Sequence, residues 1–351
     1  MIISRTPFRV SFFGGGTDYP GWFKNNKGAV LGTTINKYCY ITCRYLPPFF
    51  DHKSRIIYSQ MEHVKKTEDI DHPAVREVLK FLKINKGVEI HHDGDLPART
   101  GLGSSSAFTV GLLNSLYALK GTIPTKEKLA KEAIFIEQKK CFENVGCQDQ
   151  MLAAYGGFNF IEFGGQDHLQ VRKMTYPKAK MKDFQKHIMM FFTGFHRPSK
   201  GGSTRIMDKT GDKKELKRVT SSSILEEQLR NMPKKQKELT RMYDMAVHAV
   251  GLLNKGNLKD FGALLDESWE IKKGLSKQVS NKNINQIYGA AKDAGALGGK
   301  ILGAGGGGFI IFFAEPRKQK KIREKLKKLL EIPFGFDHQG SQVIFYQPNG
   351  E

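Results

Sequence analysis

The feature that most constrains the fold is the segment PARTGLGSSSA at residues 97–107. It follows VEIHHD at 88–93, which predicts a strand, and it precedes a helix that is predicted to end at Gly121. One face of that helix carries the apolar side chains Phe108, Leu112, Leu116 and Leu119. Glycines let a backbone approach an anion closely, and a helix N-terminus presents unpaired N–H groups. The segment therefore predicts a phosphate cradle, and a serine-capped helix after an ordinary turn is the structural alternative.

A second glycine cluster, GAGGGG at 303–308, matches the spacing G-x-G-x-x-G. A dinucleotide-binding fingerprint lies between a strand and a helix, whereas this cluster lies between a predicted helix and the predicted strand FIIFFA. The order excludes an NAD site. The chain also lacks a Walker A loop, because Ala294 and Ile301 stand where AGALGGKI would need Gly and Ser or Thr. A glycine loop that packs against a backbone or a phosphate remains.

Two carboxylates are candidates for chemistry. Asp149 lies in GCQDQMLAAYGG, and Glu137 lies twelve residues earlier in IFIEQ. Phosphoryl transfer uses one group to hold a metal ion and another to orient the attacking hydroxyl. Most acidic side chains on helices are merely solvated, so each carboxylate gains meaning only from the combination with the glycine motifs.

The net charge of +21 arises from 56 Lys and Arg against 35 Asp and Glu. Such a charge fits nucleic acid, an anionic membrane surface, an anionic small substrate or simple solubility. The densest basic run, RKQKKIREKLKK at 317–328, is predicted to be a helix with a solvated basic face. Its apolar face would carry Ile322, Leu326, Leu329 and Leu330. We therefore expect neither a nucleic-acid nor a membrane partner.

The N-terminal residues show no export signal, because Arg5 and Arg9 interrupt the apolar stretch, and no apolar run reaches the ~20 residues of a membrane span. We expect a cytoplasmic protein. Strands and helices are mixed along 351 residues, a length typical of two domains. The strand HIMMFFTG at 187–194 is predicted to open the second domain, so the expected domains are 1–185 and 186–351.

Three motifs occur in order along the chain: RTPFRVSFFGGGTDYP, PARTGLGSSSA and KILGAGGGGFIIFF. Together they resemble the galactokinase, homoserine kinase, mevalonate kinase and phosphomevalonate kinase family, the GHMP kinases. Within it, the triple glycine and CQDQ are most similar to the bacterial D-glycero-D-manno-heptose 7-phosphate kinases. The resemblance implies an α+β, two-lobed fold. Its N-lobe would be a ribosomal-protein-like α/β domain that binds ATP, and its C-lobe would be ferredoxin-like.

The resemblance also implies roles for individual residues. Asp149 corresponds to the catalytic aspartate, Arg9 to the arginine beside it, and Ser105 with Glu137 to the ligands of Mg²⁺. The ATP phosphates would contact Gly101, Leu102, Gly103, Ser104, Ser105, Ser106 and Ala107. A loop of the C-lobe with Gly305 and Gly306 would close over the phosphates. The sugar would contact Gly14, Gly15, Gly16, Thr17 and Asp18.

One departure from the galactokinases concerns the acceptor. They carry Gly-Glu-His before Thr-Asp-Tyr, whereas this chain carries Gly14, Gly15 and Gly16. The loss of a carboxylate and an imidazole favours a sugar that already bears a phosphate. The basic segment at 193–205 would bind that phosphate through Arg197, Lys200 and Arg205. The alternative for this segment is a mobile basic loop that does not bind the substrate.

The expected reaction is transfer of the γ-phosphoryl group of ATP, with Mg²⁺, to the C1 hydroxyl of D-glycero-D-manno-heptose 7-phosphate. Its product would be heptose 1,7-bisphosphate, a precursor for GDP-heptose. The first alternative is a GHMP kinase for another sugar, such as fucose or an unphosphorylated hexose or heptose. The second is an RNA-binding protein, which would explain the charge but would leave Asp149, Glu137 and the glycine motifs unexplained.

Overall fold

The computed structural model describes residues 1–98, 100–165, 168–194 and 221–348. The chain forms two compact units. The first comprises Met1–Ala98, Leu102–Tyr176 and Phe334–Glu351, and the second comprises Arg99–Gly101 and Pro177–Pro333. The division thus lies after Tyr176 and differs from the expected one after residue 185. The C-terminal segment returns to the first unit because its last strand pairs with the first strand of the chain.

The strands of the described residues are β1 (Ile2–Phe13), β2 (Gly28–Tyr45), β3 (Ser54–Ile57), β4 (Met61–Val64), β5 (Val88–Gly94), β6 (Phe158–Gly164), β7 (His168–Lys173), β8 (Ile188–Phe192), β9 (Gly298–Ile301), β10 (Phe309–Phe313), β11 (Leu330–Glu331) and β12 (Gln342–Tyr346). The α-helices are α1 (Pro20–Phe23), α2 (Pro73–Phe81), α3 (Ser104–Leu119), α4 (Lys126–Phe135), α5 (Gln148–Tyr155), α6 (Lys178–Lys186), α7 (Ser221–Asn231), α8 (Gln236–Lys255), α9 (Leu258–Lys273), α10 (Lys282–Asp293) and α11 (Pro316–Lys325). A π-helical turn, Ile136–Lys140, extends α4. This mixture of helix and sheet confirms the α+β prediction.

The first unit is built on one sheet with the strand order β12-β1-β2-β5-β3-β4. Strand β6 pairs with β2, and β7 pairs with β6. All pairs are antiparallel except β3 with β5. Helix α3 packs on β1 and β2, where the hydroxyl of Ser4 donates to the carbonyl of Gly111 at 3.0 Å.

The environment of α3 differs from the expected one. Its sequence predicts one apolar face, yet every residue from Ser106 to Leu119 is buried. The reason is that α2, α4 and α5 cover the sides of α3 that the sheet leaves open. The N-terminus of this helix is therefore held rigidly by the core.

The second unit contains a four-stranded antiparallel sheet with the order β11-β8-β10-β9. Its core joins aromatic side chains such as Phe191, Trp269 and Phe312. Helix α6 precedes β8, so the strand expected to open the second domain is not its first element. Ile322 in the basic helix α11 and Leu326 directly after it are buried as predicted. The prediction for Leu330 was wrong, because α11 ends at Lys325 and Leu330 lies exposed in β11.

The helices were also compared with the length and hydropathy that a membrane span requires. Within the described ranges, none is long and apolar enough to cross a bilayer.

Candidate active site

Arg9 and Asp149, the two residues predicted to be catalytic, form an ion pair in the first unit. Arg9 lies in β1, and Asp149 lies in the first turn of α5. The guanidinium donates two hydrogen bonds of 2.7 Å, from Nε to Oδ1 and from Nη2 to Oδ2. The Arg9 side chain is 6% exposed, whereas that of Asp149 is 23% exposed. The fork geometry fixes the carboxylate while part of it stays accessible.

The glycine-rich turn before α3 lies directly against this pair. Gly103 caps the helix with φ +74°, a left-handed conformation that favours glycine. A Cβ atom at this position would lie 3.1 Å from Cγ of Arg9 and 3.3 Å from Oδ2 of Asp149. The backbone N–H of Arg9 also donates to the carbonyl of Leu102 at 3.0 Å. The N-terminal N–H groups of α3 therefore begin beside the Arg9–Asp149 pair, where they suit an anionic phosphate.

Glu137 lies in the π-helical turn and is 2% exposed. Its Oε2 accepts hydrogen bonds from the hydroxyl of Ser106 at 2.9 Å and from the amide of Gln150. Burial raises the pKa of Glu137 to about 8, and the nearby charge of Glu143 adds to the shift. The hydroxyl in contact with Glu137 is thus that of the buried Ser106, while Ser105 is exposed in the same first turn of α3.

The surroundings of Glu137 have one feature that suits Mg²⁺. The Oε1 atom of Glu137 is buried and accepts no hydrogen bond of normal geometry from any described residue. A buried carboxylate oxygen of this kind suits a hard cation, which prefers oxygen ligands and keeps several waters. In the described part of the chain, no group of three or more His, Cys, Asp or Glu side chains is arranged to hold a metal ion by itself. The buried Oε1 of Glu137 thus suits a cation, whereas the predicted role of Ser105 as a second ligand stays a prediction.

The turn at Gly14–Asp18 is held by its own polar groups. The hydroxyl of Thr17 donates to the carbonyl of Gly14 at 2.8 Å. Asp18 has no exposed surface, and its oxygens accept the backbone N–H groups of Gly16 at 2.9 Å and of Gln148 at 3.3 Å. Burial raises the pKa of Asp18, although the N–H of Gly16 opposes the shift. Asp18 thus ties the turn to α5, and its direct contact with a sugar stays a prediction.

Two residues near the Arg9–Asp149 pair, Gln148 and Tyr19, were not predicted from the sequence. The hydroxyl of Ser11 donates to Oε1 of Gln148, the residue before Asp149, at 2.6 Å. Tyr19 follows the turn, and burial together with the charges of Asp18 and Asp149 raises its pKa well above the usual value. The QDQ sequence offered a hint for Gln148, whereas a single tyrosine after the turn offered none.

The second unit holds the remaining glycines of the predicted phosphate site. The loop 303–308 joins β9 to β10, and Gly306 donates its N–H to the carbonyl of Val279 at 2.8 Å. Gly101 packs against the start of this loop, where an added Cβ would lie 2.2 Å from the carbonyl oxygen of Leu302. At its other end, Phe309 donates to the carbonyl of Thr100 at 3.2 Å. Gly305 and Gly306 thus lie in a loop tied to the residues that precede Leu102.

The predicted phosphate-binding cations lie in the segment 193–205. Arg197, Lys200 and Arg205 fall outside the described residues. Their role remains a prediction from the sequence.

Comparison with known proteins places the chain in a family. Residues 67–157 match the family described as "GHMP kinases N terminal domain", and residues 249–332 match the family described as "GHMP kinases C terminal". The chain belongs to the GHMP kinase family. This GHMP kinase is therefore an enzyme, an ATP-dependent phosphotransferase with an alcohol group as acceptor. The resemblance drawn from the three glycine motifs is confirmed.

Individual relatives cover nearly the whole chain. The chain is 29% identical over 340 residues to the D-glycero-alpha-D-manno-heptose 7-phosphate kinase of Campylobacter jejuni, covering 93% of each protein. It is 25% identical over 350 residues to a galactokinase of Pyrococcus furiosus, covering 93% of this chain and 92% of the relative. Among solved structures, it matches a D-glycero-D-manno-heptose 1-phosphate kinase from Bacteroides thetaiotaomicron with a TM-score of 0.76. That match has 22% identity and covers 98% of both chains, so it supports the fold.

Proposed function

We propose that this GHMP kinase transfers the γ-phosphoryl group of ATP to the C1 hydroxyl of D-glycero-D-manno-heptose 7-phosphate. The product is heptose 1,7-bisphosphate, which would supply GDP-heptose synthesis. Support comes from the similarity to the Campylobacter jejuni enzyme along 93% of the chain. The triple glycine of the Gly14–Asp18 turn, which removes two side chains that galactokinases carry, favours the same acceptor.

The observation that carries the proposal is the two-bond pair between Arg9 and Asp149 beside Gly103. In the reaction, a bond forms between O1 of the sugar and the γ-phosphorus, and the bond from that phosphorus to the bridging oxygen of ADP breaks. Asp149 orients the O1 hydroxyl and accepts its proton. General-base assistance contributes roughly 10²–10⁴-fold. Because the phosphoryl transition state is loose, the positioning of the hydroxyl and the positive charge of Arg9 contribute as well.

The N-terminus of α3 is the proposed position of the ATP phosphates. Gly103 to Ser106 would supply backbone N–H groups there, because the N–H of Ala107 already donates to the carbonyl of Gly103 at 2.9 Å. Ser104 and Ser105 would supply hydroxyls. Glu137 and Ser105 would hold Mg²⁺, which neutralises phosphate charge when bound. Glu137 must lose its proton to act as a ligand, and its raised pKa of about 8 makes that step sensitive to pH.

The 7-phosphate of the acceptor is assigned to Arg197, Lys200 and Arg205. We expect Arg197→Ala to raise KM for the phosphorylated sugar far more than KM for ATP, because the lost guanidinium is the group assigned to the sugar phosphate. The matched control is Arg317→Ala, which removes an arginine side chain that is 78% exposed. Equal increases in both KM values would contradict this assignment.

The acceptor itself is tested by ADP release with Mg²⁺ and ATP across a panel of sugars. The panel comprises D-glycero-D-manno-heptose 7-phosphate, the unphosphorylated heptose, mannose, fucose and galactose. Turnover confined to the 7-phosphate supports the proposal. Equal or faster turnover of a neutral sugar would contradict it and would favour a GHMP kinase for that sugar.

A further inference from the structure

Gln148 lies at the junction of the groups that surround the catalytic carboxylate. Its backbone N–H donates to Oδ2 of Asp18 at 3.3 Å, and its successor Asp149 is clamped by Arg9. Its side chain is half-buried. The main chain of Gln148 is thus fixed on both sides, so its side chain starts from a defined position next to the reacting centre.

The side chain of Gln148 is also oriented. The buried hydroxyl of Ser11, in β1, donates to Oε1 at 2.6 Å. A side-chain amide has one accepting oxygen and one NH₂ group with two donors. Because Ser11 engages the oxygen, the NH₂ group occupies the other edge of the amide. Within the described ranges, Nε2 has no hydrogen-bond partner of its own.

The NH₂ group faces the glycine turn. A Cβ atom on Gly15 would lie 3.5 Å from Nε2 of Gln148, and beyond Gly14–Gly16 no other atom of the described residues lies within 4 Å of that position. Gly15 has no side chain, so the space beside Nε2 is left open for a ligand. An oriented pair of N–H donors next to such a space matches the oxygen of a neutral hydroxyl group, which is the group that a sugar presents repeatedly.

We propose that Gln148 is a specificity-determining residue of this kinase, whose Nε2 donates a hydrogen bond to a ring hydroxyl of the acceptor sugar in the space above Gly15. Ser11 is the positioning residue that orients the amide. The inference rests on the proposed function in that the acceptor is a sugar. The contact between Gln148 and this hydroxyl would select acceptor sugars that carry a hydroxyl group at that ring position.

The first test is Gln148→Met, which keeps the length of the side chain and removes both donors. We expect KM for the acceptor to rise about 3- to 10-fold, the effect of losing one hydrogen bond to a neutral group, while KM for ATP stays unchanged. The control is Gln170→Met in β7, an exposed glutamine, for which both KM values should match the wild type. Thermal unfolding of each variant monitors the fold. An unchanged acceptor KM in folded Gln148→Met overturns the proposal.

The second test pairs the variant with monodeoxy analogues of the acceptor. With the wild-type enzyme, the analogue that lacks the contacted hydroxyl should show the same rise in KM that Gln148→Met shows with the full acceptor. With Gln148→Met, the KM for that analogue should equal the KM for the full acceptor. Additive losses for every analogue would show that Gln148 contacts none of these hydroxyls, and would overturn the proposal.

Ser11→Ala and Gly15→Ala keep the proposal testable if Gln148→Met does not fold. Ser11→Ala should raise the acceptor KM and should add nothing in the Gln148→Met background, since it acts through the amide. Gly15→Ala places a methyl group in the open space, so it should raise the acceptor KM without changing KM for ATP. Acceptor KM values equal to wild type in both variants would overturn the inference.

Failure of the inference is distinguishable from failure of the proposed function. The proposed function is read from the wild type alone, by which sugar it phosphorylates. The role of Gln148 is read from variant-to-wild-type ratios, measured with whichever sugar the wild type turns over. A neutral acceptor would therefore refute the heptose 7-phosphate assignment and still allow the Gln148 test.

Discussion

Replacing Glu137 by Gln should change how the stability of the protein depends on pH. The folded protein holds this carboxyl at 2% exposure with a pKa of about 8, well above its ordinary value of 4.5. Between these two values the folded state binds a proton that the unfolded state has lost. The free energy of unfolding therefore falls as pH rises from about 4.5 to about 8, and it levels off above that range.

The magnitude follows from the interval between the two pKa values. One pH unit corresponds to about 1.36 kcal/mol, so the interval from 4.5 to about 8 limits the contribution of Glu137 to about 5 kcal/mol. Gln is neutral at every pH and keeps a similar shape. We therefore expect Glu137→Gln to be close to wild type in stability near pH 5 and more stable than wild type near pH 9.

Urea unfolding from pH 5 to pH 9 without Mg²⁺ measures this difference. Glu127→Gln is the matched control, because its side chain is 60% exposed and the variant should keep the wild-type pH dependence. Adding Mg²⁺ should stabilise the wild type more at pH 9 than at pH 6, since the ligand is the deprotonated carboxylate, and it should lose this effect in Glu137→Gln. A constant difference between wild type and Glu137→Gln across the pH range would refute the reasoning.

Three further substitutions test the site. Asp149→Asn should lower kcat roughly 10²–10⁴-fold while ATP binding, measured by calorimetry, persists; near-wild-type turnover would refute its catalytic role. Gly103→Ala places a methyl group 3.1 Å from Cγ of Arg9 at a φ of +74°, so kcat and the free energy of unfolding should both fall, the latter by about 1 kcal/mol. Unchanged kcat would contradict that contact. Gly308→Ala places Cβ 2.2 Å from the carbonyl oxygen of Thr100 at a φ of +92°. The melting temperature should therefore drop by several degrees in a thermal scan. An unchanged melting temperature would contradict the close packing of Gly308 on Thr100.

The fold was predictable where a pattern is local. The strand predicted over 88–93 and the helix after it are observed as β5 and α3, and the order of the glycine motifs identified the family. The return of β12 to β1 was not predictable, because strand pairing over more than 300 residues leaves no local trace. The complete burial of α3 was hidden for the same reason, since the helices that cover it are specified elsewhere in the chain.

The site was predictable in its residue types and less so in its contacts. The sequence identified Arg9 and Asp149 as partners through motif position, and the structure places them in a two-bond ion pair. Adjacent serines in GLGSSSA cannot be told apart by composition, and the helix phase turns the hydroxyl of Ser106 toward Glu137. The buried carboxylate of Asp18 accepts one backbone N–H from Gln148, in a helix 130 residues away, and no motif encodes that contact.

The central claim is phosphoryl transfer to C1 of a heptose that already bears a 7-phosphate. The most direct measurement is phosphorus and carbon NMR of the product formed from ATP and D-glycero-D-manno-heptose 7-phosphate. We predict a sugar with two phosphate groups, in which C1 shows coupling to the newly added phosphorus. Transfer to another carbon, or no transfer to this sugar under conditions where a neutral sugar is phosphorylated, would contradict the account.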